Sequence, residues 1–277
     1  MAGAGAHATN DIDGHIEASI KGRSNIVSGG TRVSADDNAT IYADVGSVNL
    51  TFGMMASGAI GVSLSDNRID NTVLATISDA FVNASSGDIE VSADSTSQID
   101  ANALVANVSV ALISVAGSGA DAKSTITSTT EASIVTTLGE AVNAPSGAIR
   151  VEATSDASAK AESHGGGIGG LQVAVMLADA TVGGSTKAFI DVSRAVVADR
   201  VVVSSESTNR ADADIVVAGA GVFAGNGGSS EATVDHETTA NIAGNSGSNT
   251  RLDVNGQVEI LATSTNNARA DAKGVSG

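Results

Sequence analysis

The chain has 277 residues, 42% of them hydrophobic but only 2% aromatic, and its 31 acidic against 14 basic residues leave a formal net charge of −17. Such hydrophobic content excludes a disordered polymer, and an acidic chain without a basic stripe is a poor match for nucleic acid. Cysteine is absent, which rules out disulfide staples and thiolate metal sites.

The hydrophobic residues are mostly Ala, Val and Ile, with four Phe, one Tyr and no Trp, so the core must be narrow. Thirty-two Gly and a single Pro fit many tight turns between strands that approach closely. Met1-Ala2-Gly3 opens directly into an alternating pattern, without the basic and apolar regions of a signal peptide.

The first marker along the chain is Ala18-Ser19-Ile20. The A-x-I tripeptide returns at Ala75-Thr76-Ile77, Ala132-Ser133-Ile134, Ala188-Phe189-Ile190 and Ala240-Asn241-Ile242, with isoleucines 57, 57, 56 and 52 residues apart. A second marker starts at Thr31, Ile89, Ile149, Val201 and Val258, in steps of 58, 60, 52 and 57 residues. Two markers on one beat define a tandem array, and repeats that cannot bury an apolar face alone stack on their neighbours. The expectation is an all-β, elongated solenoid, continuous over 1–277. Its repeats fall near 1–30 (partial), 31–88, 89–148, 149–200, 201–257 and 258–277 (partial). Both ends lie in mid-repeat without polar caps, so the chain reads as a piece of a longer protein whose export signals lie elsewhere.

The segment after each second marker alternates with period two. From Ile149 one parity reads Ile149, Val151, Ala153, Ser155, Ala157, Ala159, and the other Arg150, Glu152, Thr154, Asp156, Ser158, Lys160. One small apolar face and one charged face predict a half-buried strand. Its length suggests a corner near the eighth position, at Ala39, Ser97, Asn209 and Asn266, where Asn could bond its equivalent one coil away.

A richer apolar segment follows at Val48 to Leu64, Leu104 to Val115, Leu171 to Val182 and Ile215 to Phe223. It is either a strand covered by a neighbouring coil or a stripe that packs against another molecule. The most apolar stretch, around Leu104 to Val115, is interrupted by Asn107, Ser109 and Ser114 and is too short to span a bilayer as a helix. The A-x-I strand completes the unit. Turn-rich connections then follow at Asn83-Ala84-Ser85-Ser86-Gly87, Asn143-Ala144-Pro145-Ser146-Gly147 and Gly244-Asn245-Ser246-Gly247. Three or more strands with several corners suggest two coils of about 28 residues or three of about 19 in each repeat, with one wide flat coil as the alternative.

The unit [VI]-x-V-x-[AS]-x-S stands intact at Ile89 to Ser95 and Ile149 to Ser155, followed by an A-x-A run, a Gly-rich break and A-x-I. It resembles the repeats of large bacterial filamentous adhesins of the leukotoxin-type and haemagglutinin-like exoproteins, and more loosely autotransporter passenger domains. The resemblance covers nearly the whole chain. It implies a right-handed parallel β-solenoid stalk, outside the cell or on its surface, that spaces or presents adhesive surfaces.

No catalytic, cofactor-binding or metal-binding residue emerges from the pattern. His7, His15, His164 and His236 lie in different repeats, without Cys or an H-E-x-x-H context. His164-Gly165-Gly166-Gly167-Ile168-Gly169-Gly170 precedes an alternating strand and reads as a turn, since a phosphate cradle would open a helix. Asp11 with Asp13, Asp36 with Asp37 and Asp66 with Asp70 read as outward charges, with structural calcium as the one ion left open.

Lys123, Arg150, Lys160, Lys187, Arg194 and Arg210 look scattered, which argues against a polysaccharide-active β-helix enzyme. Thr125, Thr127, Thr129 and Thr130 have no evident equivalents in the other repeats, which argues against an ice- or surface-binding solenoid. The expected function is a non-catalytic stalk or adhesin segment. Its expected partners are neighbouring repeats of a parent chain, a host, cell or polysaccharide surface, and copies of itself, end to end or laterally.

Overall fold

The computed structural model describes residues 1–137, 139–244 and 251–277. Five long strands form one parallel sheet in sequence order: β1 (Ala2–Lys21), β4 (Ala56–Ser78), β7 (Ile113–Thr136), β9 (Leu171–Val192) and β11 (Phe223–Gly244). A second parallel sheet is built from β3 (Thr31–Phe52), β6 (Ile89–Val110), β8 (Val142–Ile168), β10 (Ala195–Ala220) and β13 (Val258–Ser276). Short strands β2 (Asn25–Ser28), β5 (Phe81–Ala84) and β12 (Arg251–Val254) extend it at one margin. The chain passes from one sheet to the other and back, so the fold is a parallel β-solenoid. No helix occurs among the described residues.

Both sequence markers are ladders of this stack. Ala18, Ala75, Ala132, Ala188 and Ala240 pair rung to rung, as do the isoleucines two residues on. Thr31, Ile89, Ile149, Val201 and Val258 form the matching ladder in the second sheet.

One repeat is one coil. The expected two or three narrower coils are replaced by a single flat turn of two long strands. The predicted corner is also absent, because Ala39, Ser97, Asn209 and Asn266 sit inside unbroken strands. Continuous pairing with the rungs above and below satisfies the backbone at these positions, so nothing requires a bend. At about 3.3 Å per residue, a 22-residue strand such as β3 spans about 70 Å, whereas five rungs spaced about 4.8 Å occupy about 24 Å. The expected elongation therefore lies across the coils and not along the stack.

The turn expected at Asn143–Gly147 is part of β8, and of 164–170 only Gly169 and Gly170 turn. The connection placed at Gly244-Asn245-Ser246-Gly247 falls, after Gly244, outside the described residues.

The sheets lie close together. Ser63 Oγ on β4 donates to the Leu104 carbonyl on β6 at 2.7 Å, and Ser124 on β7 reaches the Lys160 carbonyl on β8 at 2.7 Å. Ser205 reaches the Thr186 carbonyl at 2.8 Å. A hydroxyl one bond beyond Cβ spans this gap only when the backbones are much nearer than the about 10 Å usual for stacked sheets. Inward positions are therefore mostly small, above all Ala and Ser, with Ile, Val and a few Asn and Thr among them.

Two apolar clusters fill the interior. One surrounds Ile77, Val82, Ile89, Ile134 and Ile149, and the other Ile69, Ile99, Ile126, Met176 and Ile215. The Asn stack foreseen at Asn209 exists, with its Nδ2 donating to Asn266 Oδ1 at 2.8 Å in the next rung. Asn10 with Asn67 at 2.7 Å and Asn49 with Asn107 at 2.8 Å repeat the device.

Overpacking of this gap is the first measurable consequence. Ala153 and Ala159 are buried against the opposing sheet, so Ala153→Leu or Ala159→Leu should each cost about 1 to 3 kcal/mol in denaturant unfolding. Glu152→Gln on the outer face should stay within about 0.5 kcal/mol.

Candidate interaction surface

Alternation in β3 has a fixed phase: Val33, Ala35, Ala39, Ile41, Ala43 and Val45 point inward and are buried. The strand continues without a bulge, so Ser47 and Asn49 also point inward while Val48, Leu50 and Phe52 point out. The same holds after the tight turn at 53–55, where Ser63 and Ser65 are buried and Ile60, Val62 and Leu64 are exposed. The apolar segments thus form an exposed stripe on both sides of one solenoid edge. No described element covers it.

Exposure at the rim is large: Phe52 72%, Met54 93%, Leu112 87% and Phe223 70%. Leu104, Val110, Ile113, Val115, Ile168 and Leu171 continue the stripe through the middle rungs.

Beneath this apolar outside lies a polar inside. Asn49 Nδ2 donates to Asn107 Oδ1 and to the Ile60 carbonyl at 2.9 Å. Asn107 in turn donates to Ser118 Oγ at 2.9 Å, and Ser118 to the Gly166 carbonyl at 2.8 Å. Gly61 makes room for these amides, since a Cβ there would sit 2.7 Å from Asn107 Oδ1 and 2.8 Å from Asn49 Nδ2. Two depressions indent the outer surface. One of about 530 Å³ lies over the glycines at 165–167, between Leu104, Ala106, Ile168 and Ala218. The other, of about 340 Å³, lies between Ile113, Val115, Leu171 and Phe223. Gly166 is held by a close backbone approach, because a Cβ there would lie 1.7 Å from the Ala218 carbonyl oxygen.

The basic residues are less scattered than their sequence positions suggest. Asp100, Lys160, Asp212 and Arg269 stand side by side on successive rungs of the second sheet, a ladder of alternating charge. With Glu162, Arg210 and Asp214 they line a polar depression of about 400 Å³. Lys160 lies 3.0 Å from Glu162 and 3.7 Å from Asp100, and Arg210 pairs with Asp212. Burial works against the Lys160 charge, but these two carboxylates outweigh it and raise its pKa. Every cation of the groove already has a carboxylate partner.

The other candidate residues do not converge. His7 contacts Thr9 at 3.0 Å, His15 lies 3.8 Å from Glu17, and His164 borders the apolar stripe opposite Leu104. His236 faces inward, 2.8 Å from Thr186 Oγ1, and burial lowers its pKa. Asp11 meets Arg68 at 3.5 Å, Asp70 pairs with the same Arg68, and Asn71 donates to Asp37 at 2.6 Å. Among the described residues no three of His, Cys, Asp and Glu gather where they could hold a metal ion. No described helix is long and apolar enough to cross a membrane. Contrary to the expectation, three of the threonines have threonine partners: Thr129 pairs with Thr72, Thr125 stacks with Thr181 and Thr233, and Thr130 with Thr186 and Thr238. The longest runs cover three rungs, and neither continues onto β4, where Arg68 and Val73 stand in these columns.

No protein-family model, curated protein or solved structure matches the chain.

Like charges also stack. Asp94 stands beside Asp36 on the neighbouring rung. Burial raises the Asp94 pKa, a hydrogen bond with Thr154 opposes this, and the Asp36 carboxylate adds to the rise. A carboxyl whose pKa is raised on folding binds its proton more tightly when folded, so this site gains stability as pH falls through its folded pKa. Asp94→Asn should therefore stabilise the fold by about 0.2 to 1 kcal/mol at pH 7. Urea unfolding at a series of pH values should show the gain vanish once the carboxyl is protonated in both states.

Proposed function

We propose that the chain is a non-catalytic structural segment of a large secreted or surface-displayed bacterial protein. It acts as a stalk that makes contacts through its apolar edge in adhesion or filament formation. The observation that carries this reading is the uncovered apolar stripe, continuous through all coils of an otherwise strongly acidic solenoid. Contiguous exposed apolar surface of this kind marks an interaction site, and its concentration on one edge leaves the broad faces polar. The resemblance of the repeats to those of filamentous adhesins points the same way and carries the extracellular localisation.

One observation favours a rival. The polar depression around Asp100, Lys160, Glu162 and Arg210 gathers carboxylates and cations on one sheet, as a polysaccharide-active β-helix would. Its charges neutralise one another, and no aromatic ring lines it to stack a sugar. A substrate would have to break existing ion pairs to bind.

Display of the chain on a non-adherent bacterium separates the two. Cells carrying it should clump or attach to surfaces, and Val62→Asp with Val175→Asp on the exposed edge should return them to the level of cells without the chain. New reducing ends or unsaturated products from acidic polysaccharides, lost on Lys160→Gln, would establish the enzyme instead.

A further inference from the structure

The apolar edge has relief. In the first sheet, β4 presents Ile60, Val62 and Leu64 outward, and β9 presents Val173, Val175 and Leu177. The rungs between and beside Ile60, Val62, Val173 and Val175 carry glycine at the same columns, whereas Leu64 and Leu177 border His7, Asp121 and Ser229. Gly3 and Gly5 of β1 flank Ile60 and Val62 on one side, and Gly117 and Gly119 of β7 on the other. Gly117 and Gly119 also flank Val173 and Val175, which are bordered in turn by Gly225 and Gly227 of β11. Rungs are about 4.8 Å apart, so apolar ridges recur every about 9.6 Å, separated by grooves floored with backbone.

We propose that this edge is covered by the same edge of a second copy of the chain, face to face, with the two stacks running in opposite directions. A two-fold axis parallel to the strands, between β4 and β7, sets the β4 ridge of each copy over the β7 groove of the other. It also sets each β9 ridge over a β1 groove. The contact is isologous and closes on itself. The matching pitch is what favours a copy over a lipid surface, because a fluid acyl phase has no register to match.

Charge selects the same partner. The segments 46–64, 104–119, 165–177 and 215–230 contain no Asp, Glu, Lys or Arg, in a chain of net charge −17. At these residues two copies meet without bringing carboxylates together, and an anionic membrane would be repelled by the acidic faces beside the edge. The area is sufficient. Five rungs by about eight residues make about 24 Å by about 26 Å, or about 600 Å² per copy, and the rim residues Met54, Met55 and Leu112 bring it towards the about 800 Å² per partner of a stable interface. The proposal names the partner of the edge already assigned to contacts, but it does not require surface display. A dimer in solution without cell adhesion would overturn the stalk reading and leave this one standing.

Filling the grooves distinguishes shape-matched pairing from general stickiness. A Cβ added at Gly117 meets only Ile60 Cγ1 at 3.7 Å, and at Gly119 only the Val175 carbonyl at 3.9 Å, so both sites have room for a β-carbon, and a β-branched residue suits a strand. Sedimentation of the intact chain at micromolar concentration should show a monomer–dimer equilibrium. The double variant Gly117→Val, Gly119→Val should weaken dimerisation by at least about tenfold, although it adds apolar surface, while far-ultraviolet circular dichroism stays unchanged. Val62→Asp with Val175→Asp should give a monomer. A wild-type monomer, or a glycine double variant that associates as strongly or more strongly, would refute the pairing. Co-flotation of the wild type with phosphatidylcholine vesicles, strengthened by the glycine substitutions, would make lipid the occupant instead.

Discussion

The gap between the two sheets controls this structure. Serine hydroxyls on one sheet reach backbone carbonyls on the other directly, as Ser63 does to Leu104 and Ser124 to Lys160. That spacing admits Ala, Ser, Gly and single layers of Val or Ile, but not stacked aromatics. It explains how a chain with 42% hydrophobic residues has only 2% aromatic ones. A thin interior buries little per residue, so stability must come from breadth. Strands of more than twenty residues, paired along nearly their full length with the next rung, supply it.

A narrow gap also dictates what happens at the edge where the sheets converge. The interior there is lined largely by polar side chains, some of which bond to one another along the stack, while Ser47 Oγ and both ends of the buried Gln172 amide have no hydrogen-bond partner. Asn49, Asn107 and Ser118 pass hydrogen bonds from rung to rung and to nearby carbonyls. Amides so paired are inexpensive to bury, whereas an unpaired one would be costly. The large apolar side chains of the same segments are then left outside, and the edge is polar within and apolar without. An exposed Phe52 or Met54 gains nothing from the fold itself, so its stabilising contribution is available only to a contact with something else.

The remaining surface shows how an acidic chain tolerates stacking every 4.8 Å or so. On the second sheet, Asp100, Lys160, Asp212 and Arg269 alternate in sign along one column, so Lys160 and Asp212 each have opposite charges above and below. Where alternation fails, as at Asp36 and Asp94, the neighbouring carboxylate adds to the rise in the Asp94 pKa that burial causes. Salt weakens both effects because these groups are only partly buried. At the uncharged edge two such molecules can meet without a Coulomb penalty.

The amino-acid sequence by itself determined the period, the strands and the ladders. A-x-I at five positions and the marker from Thr31 to Val258 are repeats along one dimension, and each became a column of paired residues. Alternation at Ile149 to Ala159 likewise determined which face is buried, because a strand side chain has only two directions to choose from. The width of the coil was decided by tertiary structure. Fifty-odd residues can close as one turn or as two, and the choice depends on how near the opposing sheet lies, which no local pattern encodes. The same distance decided the edge. Read alone, Val48, Leu50 and Phe52 are candidates for a core. Unbroken phase from Val33 and Ile41 turns them outward, and only the stacked rungs, which remove the need for a corner, keep that phase unbroken. The grouping of Lys160, Arg210 and Arg269 into one groove is a third such case. They lie about one coil apart in the chain, and only pairing between coils makes them neighbours.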